Sequence, residues 1–82
     1  MDYVMYPELE TPVVLIWAHA VARRDDGTLN DRTECGKPAL FRPDEEPLPW
    51  PTGHMRHWCQ KCAETAEGVW RHGVTGERIY QM

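Results

Sequence analysis

One histidine and three cysteines constrain this chain more than anything else in it: His19, Cys35, and the pair Cys59 and Cys62 in Trp58-Cys59-Gln60-Lys61-Cys62. A C-x-x-C pair presents two soft thiolates from one tight turn, which suits a tetrahedral metal such as zinc. Cys35 precedes Gly36, and a glycine there lets backbone amides close around a bound sulfur. Three cysteines cannot pair completely with one another, so a disulfide framework leaves one thiol over, whereas a Cys3His site uses every ligand. The chain has 82 residues, seven prolines and six glycines, and much of its apolar content sits in the run Val13–Ala22. So small a domain buries little surface on folding and needs a staple. Structural zinc contributes roughly 10–16 kcal/mol of apparent binding energy in model peptides.

The run Val13–Ala22 starts with β-branched and aromatic residues and predicts a strand covered on both faces, with a helix as the competitor because of Ala18, Ala20 and Ala22. Asp26-Gly27 marks a turn that sends Arg32-Thr33-Glu34-Cys35 back beside that strand and brings Cys35 toward His19. A short strand is expected over Ala39–Arg42. Residues 43–53 hold four prolines and read as an exposed, extended loop. Trp50 lies between two of these prolines and either packs on the core or is offered to a partner. After the C-x-x-C turn, a helix is expected over Ala63–Arg71 with Gly73 as its cap, followed by a turn at Thr75-Gly76 and a strand through Arg78-Ile79-Tyr80. Residues 1–12 form either a short edge strand or an arm, in which Tyr3 and Tyr6 cover the core or meet a partner. The whole, residues 1–82, reads as one domain: α+β, zinc-ribbon or treble-clef-like, with short antiparallel strands and one C-terminal helix.

Two cysteines and the helix behind them make one complete ligand unit. The unit around Cys35 is half empty, because the matching position before it is Arg32, which cannot bind metal. His19 on the preceding strand is the natural replacement, with His54, His57, His72 and Asp31 as rivals. Four protein ligands fill a zinc tetrahedron and leave no position for water, so the metal is expected to be structural. The known catalytic patterns miss. After His19 the position of a deaminase glutamate holds Val21, and Trp58 stands where its P-C-x-x-C has proline. A c-type haem motif needs histidine after Cys62, where Ala63 stands. W-C-x-x-C also occurs in thioredoxins, but only 20 residues follow Cys62, too few for the rest of that fold. The chain is therefore expected not to be an enzyme, and the histidine surplus is all that favours one.

The order strand-His19-Ala20, then Thr33-Glu34-Cys35-Gly36-Lys37, then Cys59-Gln60-Lys61-Cys62 resembles small zinc-binding proteins of actinobacteria and their phages. The likeness covers about half the chain and implies the same ligand set without implying an activity.

The net charge of −4 opposes broad nucleic-acid binding. Residues 52–82 nevertheless carry Arg56, Lys61, Arg71 and Arg78 against three glutamates. The expected partner is a protein, met by Trp50, Tyr3, Tyr6 and the acidic Asp44-Glu45-Glu46. The alternative is nucleic acid held by those four basic residues around the zinc turn. No small-molecule substrate is implied. The ten-residue apolar run is about half a membrane span, and no signal peptide is visible, so the expected location is the cytoplasm, where thiols stay reduced.

Overall fold

The computed structural model describes residues 2–9, 16–51 and 57–79. Strands β1 (Asp2–Leu9) and β2 (Ile16–Arg23) form an antiparallel pair in which Tyr6 faces His19 and Glu8 faces Trp17. The two-residue strand β3 (His57–Trp58) joins the other edge of β2 in parallel. Helix α1 (Gln60–Glu67) follows at once, and β4 (Trp70–Arg71) pairs antiparallel with β5 (Arg78–Ile79). The α+β expectation holds, with two refinements: the main sheet is mixed, and a small hairpin follows the helix.

β2 is buried from Ala18 through Ala22, as its unbroken apolar sequence predicts. Ala18 and Ala20 pack with Met5, Trp50, Trp58, Cys62 and Ala63 in one cluster, while Val21 packs with Val4 and Ala39 in a second. The alternation of side chains along a strand separates the two sets. Residues 13–15 of the apolar run lie outside the described residues.

Of the two readings for the chain's start, the strand holds over Asp2–Leu9. Tyr3 and Tyr6 are half-buried there, Tyr3 on the first cluster and Tyr6 on the second, where it meets Phe41 edge-on. The proline-rich segment covers the outer edge of β1. Met5 donates its N–H to the Leu48 carbonyl, and Trp50 donates to the Tyr3 carbonyl. Trp50 thus supplies a donor and Leu48 an acceptor in a segment whose prolines have no N–H to give.

Three local expectations are corrected. The helix starts at Gln60 rather than Ala63, because the C-x-x-C turn is itself the first helical turn. It ends where Gly68 takes φ 73° and gives its N–H to Glu64, so Gly68 and not Gly73 is the cap. Trp70 and Arg71 then extend into β4. Ala39–Arg42 is not a strand; Ala39 is buried and donates to the Asp31 carbonyl.

Candidate metal centre

The centre is assembled on the edge of β2 that faces away from β1. The carbonyls of Ala18 and Ala20 flank His19, and both point to that edge by strand alternation. Ala18 receives the N–H of Cys59 at 3.0 Å, and Ala20 receives that of Glu34 at 2.8 Å. Two cysteine-bearing turns are thereby fixed on either side of one histidine.

The first turn is set by the chain reversal at Asp26-Gly27. Gly27 has φ 88°, and the Arg24 N–H bonds Thr28 across the turn. The returning strand is irregular, but it arrives where expected, with Asn30 donating to Ala22 and Glu34 to Ala20. The Cys35 loop is closed by mutual bonds between Thr33 and Lys37 and by the Gly36 N–H on the Thr33 carbonyl. Gly36 has φ 98°, a backbone region that side chains with a Cβ avoid. Arg32, which leaves this turn one ligand short, braces it through a bond to the Gly36 carbonyl at 3.0 Å. The second turn places Cys59 at the helix N-cap and Cys62 in the first turn, so both cysteines come from one rigid corner.

One ligand atom from each of His19, Cys35, Cys59 and Cys62 lies within 4.8 Å of every other, and this arrangement can hold a metal ion. His19 Nδ1 is 3.3 Å from the Cys35 sulfur and 3.6 Å from that of Cys62. Its other nitrogen, Nε2, is 2.5 Å from Glu8 Oε2, and Lys37 holds the other oxygen of Glu8 at 3.0 Å. A carboxylate on Nε2 keeps the proton there and leaves Nδ1 free to bind metal, the usual outer-shell arrangement of a ligating histidine. The Thr33 hydroxyl lies 3.1 Å from the Cys35 sulfur. His19 and Cys62 are buried, while Cys35 and Cys59 are half-exposed on a cleft of about 410 Å³ bordered by Glu8, Trp17 and Lys37.

The donors also share protons with one another. Burial alone would lower the pKa of His19, but its hydrogen bonds to Cys59 and Glu8 outweigh that and raise the group to about 9. The hydrogen bond from Cys62, supported by His19, holds the Cys59 thiol well below its ordinary value; the same bond and burial push Cys62 upward. The Lys37 ammonium and His19 hold the Glu8 carboxyl below the usual range. A dication displaces these protons, because thiolate and neutral imidazole are the binding forms.

The sequence reading missed Glu8, Lys37 and Thr33. Glu8 is the diagonal neighbour of His19 across the β1–β2 pair, a position that follows once the register is known. No tight-turn dipeptide stands between these strands to fix that register from sequence. Among the rivals for the fourth ligand, Asp31 and His72 are outside the cluster. His57 lies against Trp17, the ring centroids 5.1 Å apart and the planes tilted by 40°, and His54 lies outside the described residues.

Several expected contact residues have structural duties instead. Trp50 is only 9% exposed, meets Trp58 edge-on at 5.1 Å and donates its indole N–H to Glu67 at 2.9 Å. Of its two readings, packing holds. Arg71 is also buried: it grips Glu67 through two bonds of 2.6 Å, bonds the Gly76 carbonyl and lies over the Trp58 ring. Arg78 reaches Glu67 at 3.4 Å, Lys61 is exposed, and Arg56 lies outside the described residues. Of the basic residues foreseen around the turn, Arg71 is thus buried in an ion pair, while Arg78 and Lys61 stand at the surface. No helix among the described residues is long and apolar enough to cross a membrane. Compared with known proteins, the chain matches no family model, no curated protein and no solved structure at a significant level.

Proposed function

We propose that the chain is a zinc-stapled interaction module, without catalytic activity, in which His19 Nδ1 and the sulfurs of Cys35, Cys59 and Cys62 hold one structural Zn2+. The observation that carries this reading is the convergence of four donors from three separate segments, with the outward nitrogen of His19 already bound to a carboxylate. Zinc bonds of about 2.0–2.3 Å to nitrogen and sulfur place tetrahedral donors about 3.5–3.8 Å apart. The Nδ1–sulfur distances of 3.3 and 3.6 Å accord with that. Three thiolates favour a soft or borderline ion over calcium or magnesium, and four protein donors fill a structural site.

The partner we favour is another protein. Leu40, 82% exposed, and Leu48 flank the exposed acidic residues Asp44, Glu45 and Glu46 on one surface segment, which suits a partner with a basic rim around an apolar pocket. The likeness to short actinobacterial and phage chains fits an accessory protein of the host cytoplasm. Elemental analysis of protein purified without added metal tests the zinc reading: one zinc per chain is expected, and its removal by a chelator abolishes the near-ultraviolet circular dichroism of the core tryptophans. A salt titration against duplex DNA tests the partner class. Micromolar or weaker binding is expected, and sub-micromolar, steeply salt-dependent binding overturns it.

A further inference from the structure

The four ligands are not equally sheltered. Cys62 is fully buried, whereas Cys59 and Cys35 are half-exposed and border the cleft beside Trp17 and Lys37. Cys59 and Cys62 sit at the N-cap and in the first turn of α1, and their sulfurs lie within 4.8 Å of each other. Cys35 comes from a separate loop, with the Thr33 hydroxyl 3.1 Å from its sulfur and Arg32 bracing the turn. A small oxidant entering the cleft therefore reaches Cys59 with a second thiol directly behind it, and closure of a bond between these two needs no movement of the Cys35 loop.

We propose that Cys59 is a peroxide-reactive site and that its oxidation by hydrogen peroxide, resolved by Cys62, converts the metal centre into a Cys59–Cys62 disulfide and ejects the ion. The inference rests on the metal-centre reading above and adds a regulation of that same site. In the first step the Cys59 thiolate sulfur attacks one peroxide oxygen. The S–O bond forms, the O–O bond breaks, and the departing hydroxide takes a proton from solvent, leaving a sulfenic acid on Cys59. In the second step the Cys62 thiolate attacks the Cys59 sulfur. The S–S bond forms, the S–O bond breaks, and a second hydroxide is protonated to water. Two thiolates, one peroxide and two protons thus give one disulfide and two waters. The two sulfurs supply the electrons, and the ion loses two of its four ligands.

The test uses the full zinc-loaded chain, its metal content first fixed by elemental analysis. Stoichiometric hydrogen peroxide is added, released zinc is followed with a chromogenic chelator, and unreduced tryptic peptides are mapped by mass spectrometry. Trypsin cuts after Lys61, between the two cysteines, so their disulfide appears as residues 57–61 joined to residues 62–71, with Cys35 still open to alkylation. About one zinc released per disulfide, and its return with dithiothreitol, is the expected result. Zinc retained under excess peroxide, a disulfide to Cys35, or metal loss with only sulfinic or sulfonic acids overturns the proposal. Cys62→Ser and Cys35→Ser each remove a ligand and can unfold the chain, but Cys35→Ser keeps both reacting cysteines: it must still form the 57–61/62–71 pair, and failure to do so counts against the proposal. A chain that takes up no metal refutes the metal-centre reading itself, and the disulfide map then judges the Cys59–Cys62 pairing alone.

Discussion

The two ends of α1 are fastened by different chemistry. At its start, Cys59 and Cys62 converge with His19 and Cys35 on a centre that can hold an ion. At its end, Glu67 gathers Trp50, Arg71 and Arg78 into a network complete with protein groups alone. At the first end the Cys35 turn is fixed to β2 by the backbone bonds of Asn30 and Glu34, and its sulfur lies 3.3 Å from His19 Nδ1. The second end lies against Trp50 and Trp58, where aromatic burial supports the polar contacts. Both ends border one apolar cluster, so the chain fastens one side of it with potential metal ligands and the other with an ion-pair network.

Removing the metal should have the largest effect. Chelation, or Cys62→Ala, forfeits a binding energy on the order of 10 kcal/mol and should abolish the cooperative thermal transition followed by circular dichroism. A cooperative melt that survives chelation would show the Glu67 end sufficient alone. Breaking that end instead should weaken the fold without freeing the metal. Glu67→Gln leaves the buried Arg71 poorly paired and should cost about 3 kcal/mol in urea unfolding, with full zinc retained.

The same carboxylate sets a pH dependence. Burial would raise the Glu67 pKa, but bonds from Arg71 and Trp50 lower it below the ordinary 4.5. A group depressed in the folded state contributes stability that is fully present above about 4.5 and is lost as pH falls through the folded value. The urea midpoint of the parent should therefore fall in that acidic window, and Glu67→Gln should flatten this part of the decline. Gly76→Ala probes the fit at the same end. An added Cβ would lie 2.2 Å from the Trp58 indole nitrogen, at a residue with φ 72°, so a loss of about 2 kcal/mol is expected in the same assay. The smallest effect belongs to the metal end. Glu8→Gln keeps the fold but loosens the hold on His19, and zinc affinity measured against a competing chelator should drop about tenfold.

The metal end was the more legible in sequence, because soft ligands at fixed spacing have few other uses and Asp26-Gly27 announced the reversal that brings Cys35 to His19. Its supporting shell was not legible. Glu8 stands eleven residues from His19 and becomes its neighbour only through the β1–β2 register. The Glu67 end was harder still. Trp50 between prolines has the sequence context of an exposed loop, and Arg71 has that of a surface cation. Only their meeting with Glu67, at separations of 17 and 4 residues, turns both inward. The helix boundary failed for a local reason: an apolar spacing through Trp70 outweighed Gly68 in the reading, whereas the backbone stopped at the glycine.

X-ray absorption at the zinc edge of the purified chain tests the central claim most directly. Three sulfurs at about 2.3 Å and one nitrogen at about 2.0 Å are predicted, with the nitrogen lost in His19→Ala. An unchanged three-sulfur, one-nitrogen shell in that variant, or a parent shell with fewer than three sulfurs, would contradict it.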